Sequence, residues 1–393
     1  MFAERRLRAA LTGLALGGLA LTTLQGTAVA APPPAPAATT ATSSPVAAAE
    51  AATARALAVS LADPAWQRQL AKAALADDDV DLLALTATSG ARSAKALATT
   101  VAEAETDIAR TKGLGKGTPS LLRVSLAGRS VNATSLAAAT PLVASAPADD
   151  DARSIVAYDS AGNIHRLDAA QAPERPVYLV GVDGQAALAA GVKVIDRELA
   201  AKGLGTPASV TAKATPGTAD AAGTASSAAA AGFWTTRIKS ISAADVEEPW
   251  FKGDAEIFSL VTGFGTDGKV RVDTVTMPYL DDEGTTYYPN QILVNWSLYK
   301  YNLADVVLME DDGDTNYSAL AKALAAVLLT VTDQGAYIPL VDAIIDAMPA
   351  SWWTDDPDYV DSFYTLARET TGTRVGASAN ARLTVERYFV SEL

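Results

Sequence analysis

The chain has 393 residues, with 45 acidic and 31 basic side chains, one histidine, no cysteine and a formal net charge of −14. That sign argues against a protein that tracks a phosphate backbone, and the missing cysteine excludes disulfides, thiolate metal sites and iron–sulfur clusters. A single histidine excludes any centre that needs two imidazoles, common catalytic zinc sites among them.

Residues 1–30 read as a signal peptide. Arg5, Arg6 and Arg8 make a charged start, residues 11–24 are largely apolar, and Ala28-Val29-Ala30 offers small residues where a signal peptidase cuts. A bilayer-spanning helix needs roughly 20 apolar residues, more than this run supplies. The expectation is a secreted, extracellular chain with no transmembrane anchor. Residues 31–50 are rich in Pro, Ala and Thr and are expected to be disordered.

Residues 51–202 are expected to form a small α+β domain. Asp63-Pro64 is a capping residue followed by a favoured first helical residue, and Trp66, Leu70, Ala73 and Ala74 follow at helical spacing. Residues 92–110 read as a second helix. Short strands are expected at 121–124, 155–158, 164–167 and 177–180, with a turn over 159–163. Residues 185–201 read as a helix that Gly203 ends. The alternation Gly113, Gly115, Gly117 lacks the Lys-Ser/Thr ending of a phosphate loop and reads as a connection. Residues 203–232, again poor in side chains that could pack, read as a flexible linker.

Composition changes abruptly at residue 233. Of 25 aromatic residues, 21 lie from Phe233 onward, and this part holds 25 acidic and 11 basic groups, so it carries the whole net charge. Alternating apolar residues predict strands at 237–242, 257–261, 270–275, 292–299, 306–308 and 379–389. Two alanine-rich aliphatic runs, 319–329 and 336–348, predict helices. The expected architecture for 233–393 is a mainly-β sandwich with an inserted helical pair.

The acids of this part are bunched: Asp245 to Glu256, Asp281-Asp282-Glu283, Glu310 to Asp314, and Asp355 to Asp361. Carboxylates that converge repel unless a proton or cation compensates, and Ca²⁺ takes six to eight hard oxygen ligands from loops. Glu248, Asp254, Glu256, Asp281, Asp311, Asp312 and Asp314 are the candidate calcium ligands. The run at 312–316 begins like an EF-hand but lacks its later Gly and Glu. The plain alternative is a set of solvated loops on an acidic protein.

The stretches EEPWFKGDAEIFSLV (247–261), MPYLDDEGTTYYPNQILVNW (277–296), MEDDGDTNY (309–317) and DDPDYVDSFYTL (355–366) resemble an exported bacterial family of unknown function, domain of unknown function 3103. The order of acids and aliphatic strands is also similar to C2-type calcium-binding sandwiches. The resemblance implies a C2-like fold and a cation site, and no activity.

Other chemistry is thinly supplied. His165 would have to serve any serine–histidine–carboxylate arrangement, and no Gly-x-Ser-x-Gly elbow accompanies it. Glu247, Glu248, Glu256 and Glu310 could pair for glycoside hydrolysis, with Trp250, Trp296, Trp352 and Trp353 stacking on sugar rings. The asparagines of Asn132-Ala133-Thr134 and Asn295-Trp296-Ser297 match a short glycosylation triplet. The expectation is a non-catalytic binding protein with a calcium-stabilised sandwich, its partner an envelope polysaccharide or protein. An extracellular hydrolase, or an N-terminal pro-region or inhibitor joined to a C-terminal effector, stands as the alternative.

Overall fold

The computed structural model describes residues 44–77, 79–128, 131–138, 140–147, 152–171, 173–205, 232–245, 255–311, 313, 315–348 and 359–391. The described residues begin with α1 (Pro45–Ser60), α2 (Pro64–Ala74), β1 (Val80–Asp81), α3 (Leu82–Thr88) and α4 (Arg92–Thr111). It continues through β2 (Leu122–Ala127), α5 (Ala133–Ala138), β3 (Leu142–Ser145), β4 (Ser154–Tyr158), β5 (Ile164–Asp168), β6 (Val177–Val182) and α6 (Gly184–Ala201). The second half comprises β7 (Gly232–Ala243), β8 (Ile257–Phe264), β9 (Val270–Thr276), β10 (Ile292–Asn295), β11 (Leu303–Glu310), α7 (Tyr317–Leu328), α8 (Val341–Ala347), β12 (Tyr359–Ala367), β13 (Gly372–Val375) and β14 (Ala381–Ser391).

Local chemistry sets many of these boundaries. Asp63 caps α2 through Ala65 N–H, as the sequence predicts. α1 begins inside the stretch whose composition predicted disorder. Ser44 caps it by accepting from Ala47 N–H, Pro45 takes the first turn, and the buried Glu50 accepts from Val182 N–H at 3.0 Å. A Pro/Ala-rich run can therefore be ordered when it has a cap and a strand to lean on. The helix predicted to stop at Gly203 does so: Leu204 N–H reaches Leu199 C=O and Gly203 N–H reaches Ala200 C=O, with Gly203 at φ +76°. This is the paired closure that favours glycine just past a helix.

The first sheet has strand order β1-β2-β6-β3-β4-β5. Its pairs are antiparallel except β3 with β6. Period-two alternation sorts its side chains: Tyr178 and Val180 pack with α1, α2, α3 and α4, while Val177 and Leu179 join a smaller cluster on the other face.

The second half holds two four-stranded antiparallel sheets, β10-β7-β14-β13 and β12-β11-β8-β9. Ile238, Ile241, Leu383 and Val385 of the former meet Ile257, Val261, Val306 and Leu308 of the latter in one core. The opposite face of the latter sheet, with Phe258, Leu260, Phe264, Val307 and Met309, is covered by α6, α7 and α8. Every residue of β8 is buried for this reason: a strand covered on both faces reads as an unbroken apolar run. The fold is mixed α+β with several antiparallel sheets, and the two helices predicted between the strands are α7 and α8.

α6 links the two halves. The sequence assigns it to the first, yet Leu188, Val194, Ile195 and Leu199 lie in the core under the β8–β11 sheet. A Cβ on Gly191 would stand 2.2 Å from the Tyr317 ring, so the helix approaches α7 as closely as only glycine allows.

Candidate functional site

The acidic runs meet different fates. Asp311 follows β11 and is withdrawn from solvent. Its Oδ1 lies 3.1 Å from Lys112 Nζ, with both side chains 1 % exposed. Burial pushes the Asp311 carboxyl up, while the Lys112 charge and the Lys112 hydrogen bond pull it back.

Lys112 arrives there through local structure. It caps α4 and is followed by Gly113 at φ +65°. Gly113 N–H bonds Arg110 C=O and Leu114 N–H bonds Ala109 C=O. The glycine alternation therefore begins with a helix stop. Asn316 caps α7 by accepting from Ala319 N–H, and its amide donates to Thr111 C=O at 2.6 Å. Tyr317 N–H donates to Lys112 C=O at 3.0 Å. The end of α4 and the start of α7 thus satisfy each other's unpaired backbone groups. Lys112 Nζ also donates to Gly313 C=O at 3.1 Å.

Of the remaining candidate ligands, Glu256 and Asp281 are among the described residues. A Cβ on Gly184 would lie 2.1 Å from the Glu256 carboxyl group, so Glu256 rests on the start of α6. Asp281 lies in the connection between β9 and β10. Glu248, Asp254, Asp312 and Asp314 lie outside the described residues. Among the described residues no group of three or more His, Asp or Glu is placed to hold a metal ion. Asp361, grouped by sequence with the fourth acidic run, is a buried residue of β12 and accepts from Ser378 N–H at 2.9 Å and Ala381 N–H at 2.7 Å. Those amides give an inward carboxylate the partners that burial demands.

His165 sits on β5 opposite Ala157 and lies 3.0 Å from Asp159 Oδ2. That hydrogen bond, then those of Asn163, hold Asp159 well below the usual carboxylate range. The pair belongs to an exposed hairpin turn.

Among the described residues, one open concavity is lined by tyrosines. The connection at 277–291 is fastened to both sheets of the sandwich. Met277 N–H bonds Ile257 C=O at 2.8 Å, and Tyr287 exchanges two backbone hydrogen bonds with Ile241. Met277 and Leu280 are fully buried anchors. The fastened segment surrounds an open concavity of about 580 Å³ lined by Thr276, Pro278, Tyr279, Tyr287, Tyr288, Pro289 and Gln291. The Tyr279 and Tyr287 rings are tilted with centroids 6.1 Å apart, and Tyr288 is 72 % exposed.

Polar groups are set among these rings. Tyr279 hydroxyl donates to Gln291 Oε1 at 2.5 Å, and Gln291 Nε2 donates to Thr276 C=O at 2.9 Å. Tyr287 hydroxyl donates to Asp282 Oδ2 at 3.1 Å and accepts from Asp282 N–H at 3.0 Å. Burial and the Asp281 and Asp282 carboxyl groups push Tyr287 up to about 12, so it remains a neutral donor at any physiological pH. Burial likewise raises Tyr279.

Sequence reading looked to tryptophans for such a surface. Trp296 is instead buried, with Nε1 donating to Thr236 Oγ1 at 2.9 Å, and Trp250, Trp352 and Trp353 lie outside the described residues. The signal that could have found the tyrosines was present: adjacent Tyr287-Tyr288 before Pro289, in a long non-alternating stretch.

Among known proteins, the model of the family described as "Protein of unknown function (DUF3103)" matches residues 52–392. No curated protein and no solved structure matches the chain. No helix among the described residues is long and apolar enough to cross a membrane.

Proposed function

This chain belongs to the DUF3103 family, and we propose that it is an exported, non-catalytic binding protein whose tyrosine-lined concavity takes a saccharide segment of an envelope polysaccharide. The carrying observation is the exposed Tyr288 beside Tyr279 and Tyr287 on a connection fastened to both sheets. Aromatic rings give apolar area at little entropic cost and keep a polar edge for hydrogen bonding. A sugar offers the same mixture, with C–H faces for the rings and hydroxyls for Gln291 and the phenols. Fastening at both ends limits the ordering cost of binding.

The lining favours binding over cleavage. Glycoside hydrolysis commonly uses two carboxyl groups flanking the bond, whereas the lining is aromatic, amide, hydroxyl and proline. Asp282 is beside the site but already holds the Tyr287 hydroxyl.

Calorimetric titration of the mature chain with a panel of soluble envelope polysaccharides and their oligosaccharides tests the reading. Binding that Tyr288→Ala weakens about tenfold, equivalent to about 1.4 kcal/mol, is the expected result. Undiminished binding by that variant, or no binding across the panel, would overturn it.

A further inference from the structure

Lys112 and Asp311 are 199 positions apart in sequence, yet Nζ and Oδ1 meet at 3.1 Å with 1 % of either side chain exposed. Lysine and aspartate seldom bury completely unless paired, and the desolvation of such a pair can exceed its Coulombic gain. Several features hold the meeting point fixed. Lys112 caps α4, its amine donates a second hydrogen bond to Gly313 C=O, and its carbonyl accepts from Tyr317 N–H. Asp311 is fixed through its own N–H, bonded to Glu256 C=O at 3.0 Å.

We propose that this pair condenses to an amide, an intramolecular isopeptide cross-link between Lys112 Nζ and Asp311 Cγ. The amine, as the free base, attacks Cγ of the carboxylic acid. The Nζ–Cγ bond forms, one Cγ–O bond breaks, and the departing oxygen leaves as water with the protons that Nζ and the acid give up. Oxidation states do not change and no co-reactant is needed.

The surroundings suit each part of that step. Burial disfavours the charged form of the Asp311 carboxyl group and so favours the acid, the form that can lose water. Nζ donates both to Asp311 Oδ1 and to Gly313 C=O, which holds the amine beside the carboxyl group. Fixed proximity replaces the encounter that makes amide formation slow between free molecules. The Tyr317 ring stands beside the amine, its centroid 5.7 Å from Nζ, and adds to the dry wall around the reacting groups, while the acid's own proton goes to the leaving oxygen. In a chain with no cysteine, the amide would tie α4 to the end of β11 as a disulfide ties distant segments elsewhere.

The experiment is an intact-mass measurement on the denatured, wild-type chain, followed by proteolysis and peptide mapping. Expected are a mass lower by one water than the sequence requires and a branched peptide joining the Lys112 and Asp311 fragments. Lys112→Arg, which retains the charge but cannot form the bond readily, should show the full unmodified mass. A wild-type mass equal to that of the sequence overturns the proposal. So does a lost water that maps to Asp312-Gly313, where a cyclic imide would give the same mass. Neither readout involves the tyrosine concavity.

Discussion

Two acidic runs, 281–283 and 310–314, look alike in the sequence and are opposites in the structure. Asp282 stays at the surface and accepts a hydroxyl beside the tyrosine-lined concavity, whereas Asp311 is sealed against the lysine that caps α4. The difference does not lie in the acids. It lies in what the fold brings to them: a fastened tyrosine-bearing connection in one case, the capped end of α4 in the other. A bunch of carboxylates thus says that something must compensate the charge, and the supplier can be water, a phenol or the chain's own ammonium.

The largest expected effect tests that contrast directly. Lys112→Ala leaves a buried carboxyl group without its partner and should cost about 3–5 kcal/mol, measured by urea unfolding. Glu283→Ala, at an exposed position of the other run, should change stability by at most about 0.5 kcal/mol. Equal losses would erase the distinction between the runs.

A second test concerns how the end of β11 meets the helices. Alanine normally stabilises a helix relative to glycine by about 1 kcal/mol. At Gly191 the added methyl would press on the Tyr317 ring. Gly191→Ala should therefore destabilise by about 1–3 kcal/mol, as overpacking does; a raised melting midpoint would show that α6 and α7 are less closely seated.

Tyr288→Ala should separate function from stability, since the side chain is mostly outside the core. Its unfolding midpoint should match wild type while saccharide affinity falls about tenfold, or about 1.4 kcal/mol. A midpoint lowered by several degrees would make Tyr288 a structural residue.

Asp333 gives the smallest effect and lies between the two extremes. It accepts from Lys300 Nζ, from Tyr301 hydroxyl at 2.7 Å and from Gly335 N–H at 2.9 Å. The Lys300 hydrogen bond, then that of Tyr301, hold its carboxyl group down at about 2, against 3.8 for the free group. A depressed folded value means that its stabilisation is present above pH 3.8 and fades as the pH falls through about 2. Asp333→Asn should flatten the acid-unfolding profile within that window alone; an unchanged profile would remove this carboxylate from the comparison.

Legibility followed the range of the determining interactions. The Asp63-Pro64 start and the Gly203 stop were readable because a few adjacent residues decide them. β8 was readable as a strand, but its burial on both faces depends on α6, which the sequence assigns to the other half of the chain. β10 is shorter than the alternation suggested: Asn295 Oδ1 accepts from Ser297 N–H and turns the chain into a short 3₁₀ segment, Trp296–Leu298. β12 was missed because Asp361, counted with the acids before it, is a buried strand residue whose amide partners sit in the β13–β14 region. Lys112 gave no warning at all, since its partner lies in the other half of the chain.

The pairing of β7 with β14 carries a mechanical consequence. The two strands run antiparallel over eleven paired positions, and Gly232, where β7 begins, stands opposite Ser391, where β14 ends. A pull applied between those two residues would open the ladder one rung at a time, from its edge inward. A pull between α4 and β11 would instead act on Lys112 and Asp311 at once. Tension entering through the end of the sandwich and tension entering through the helical half would therefore meet very different resistance in the same molecule.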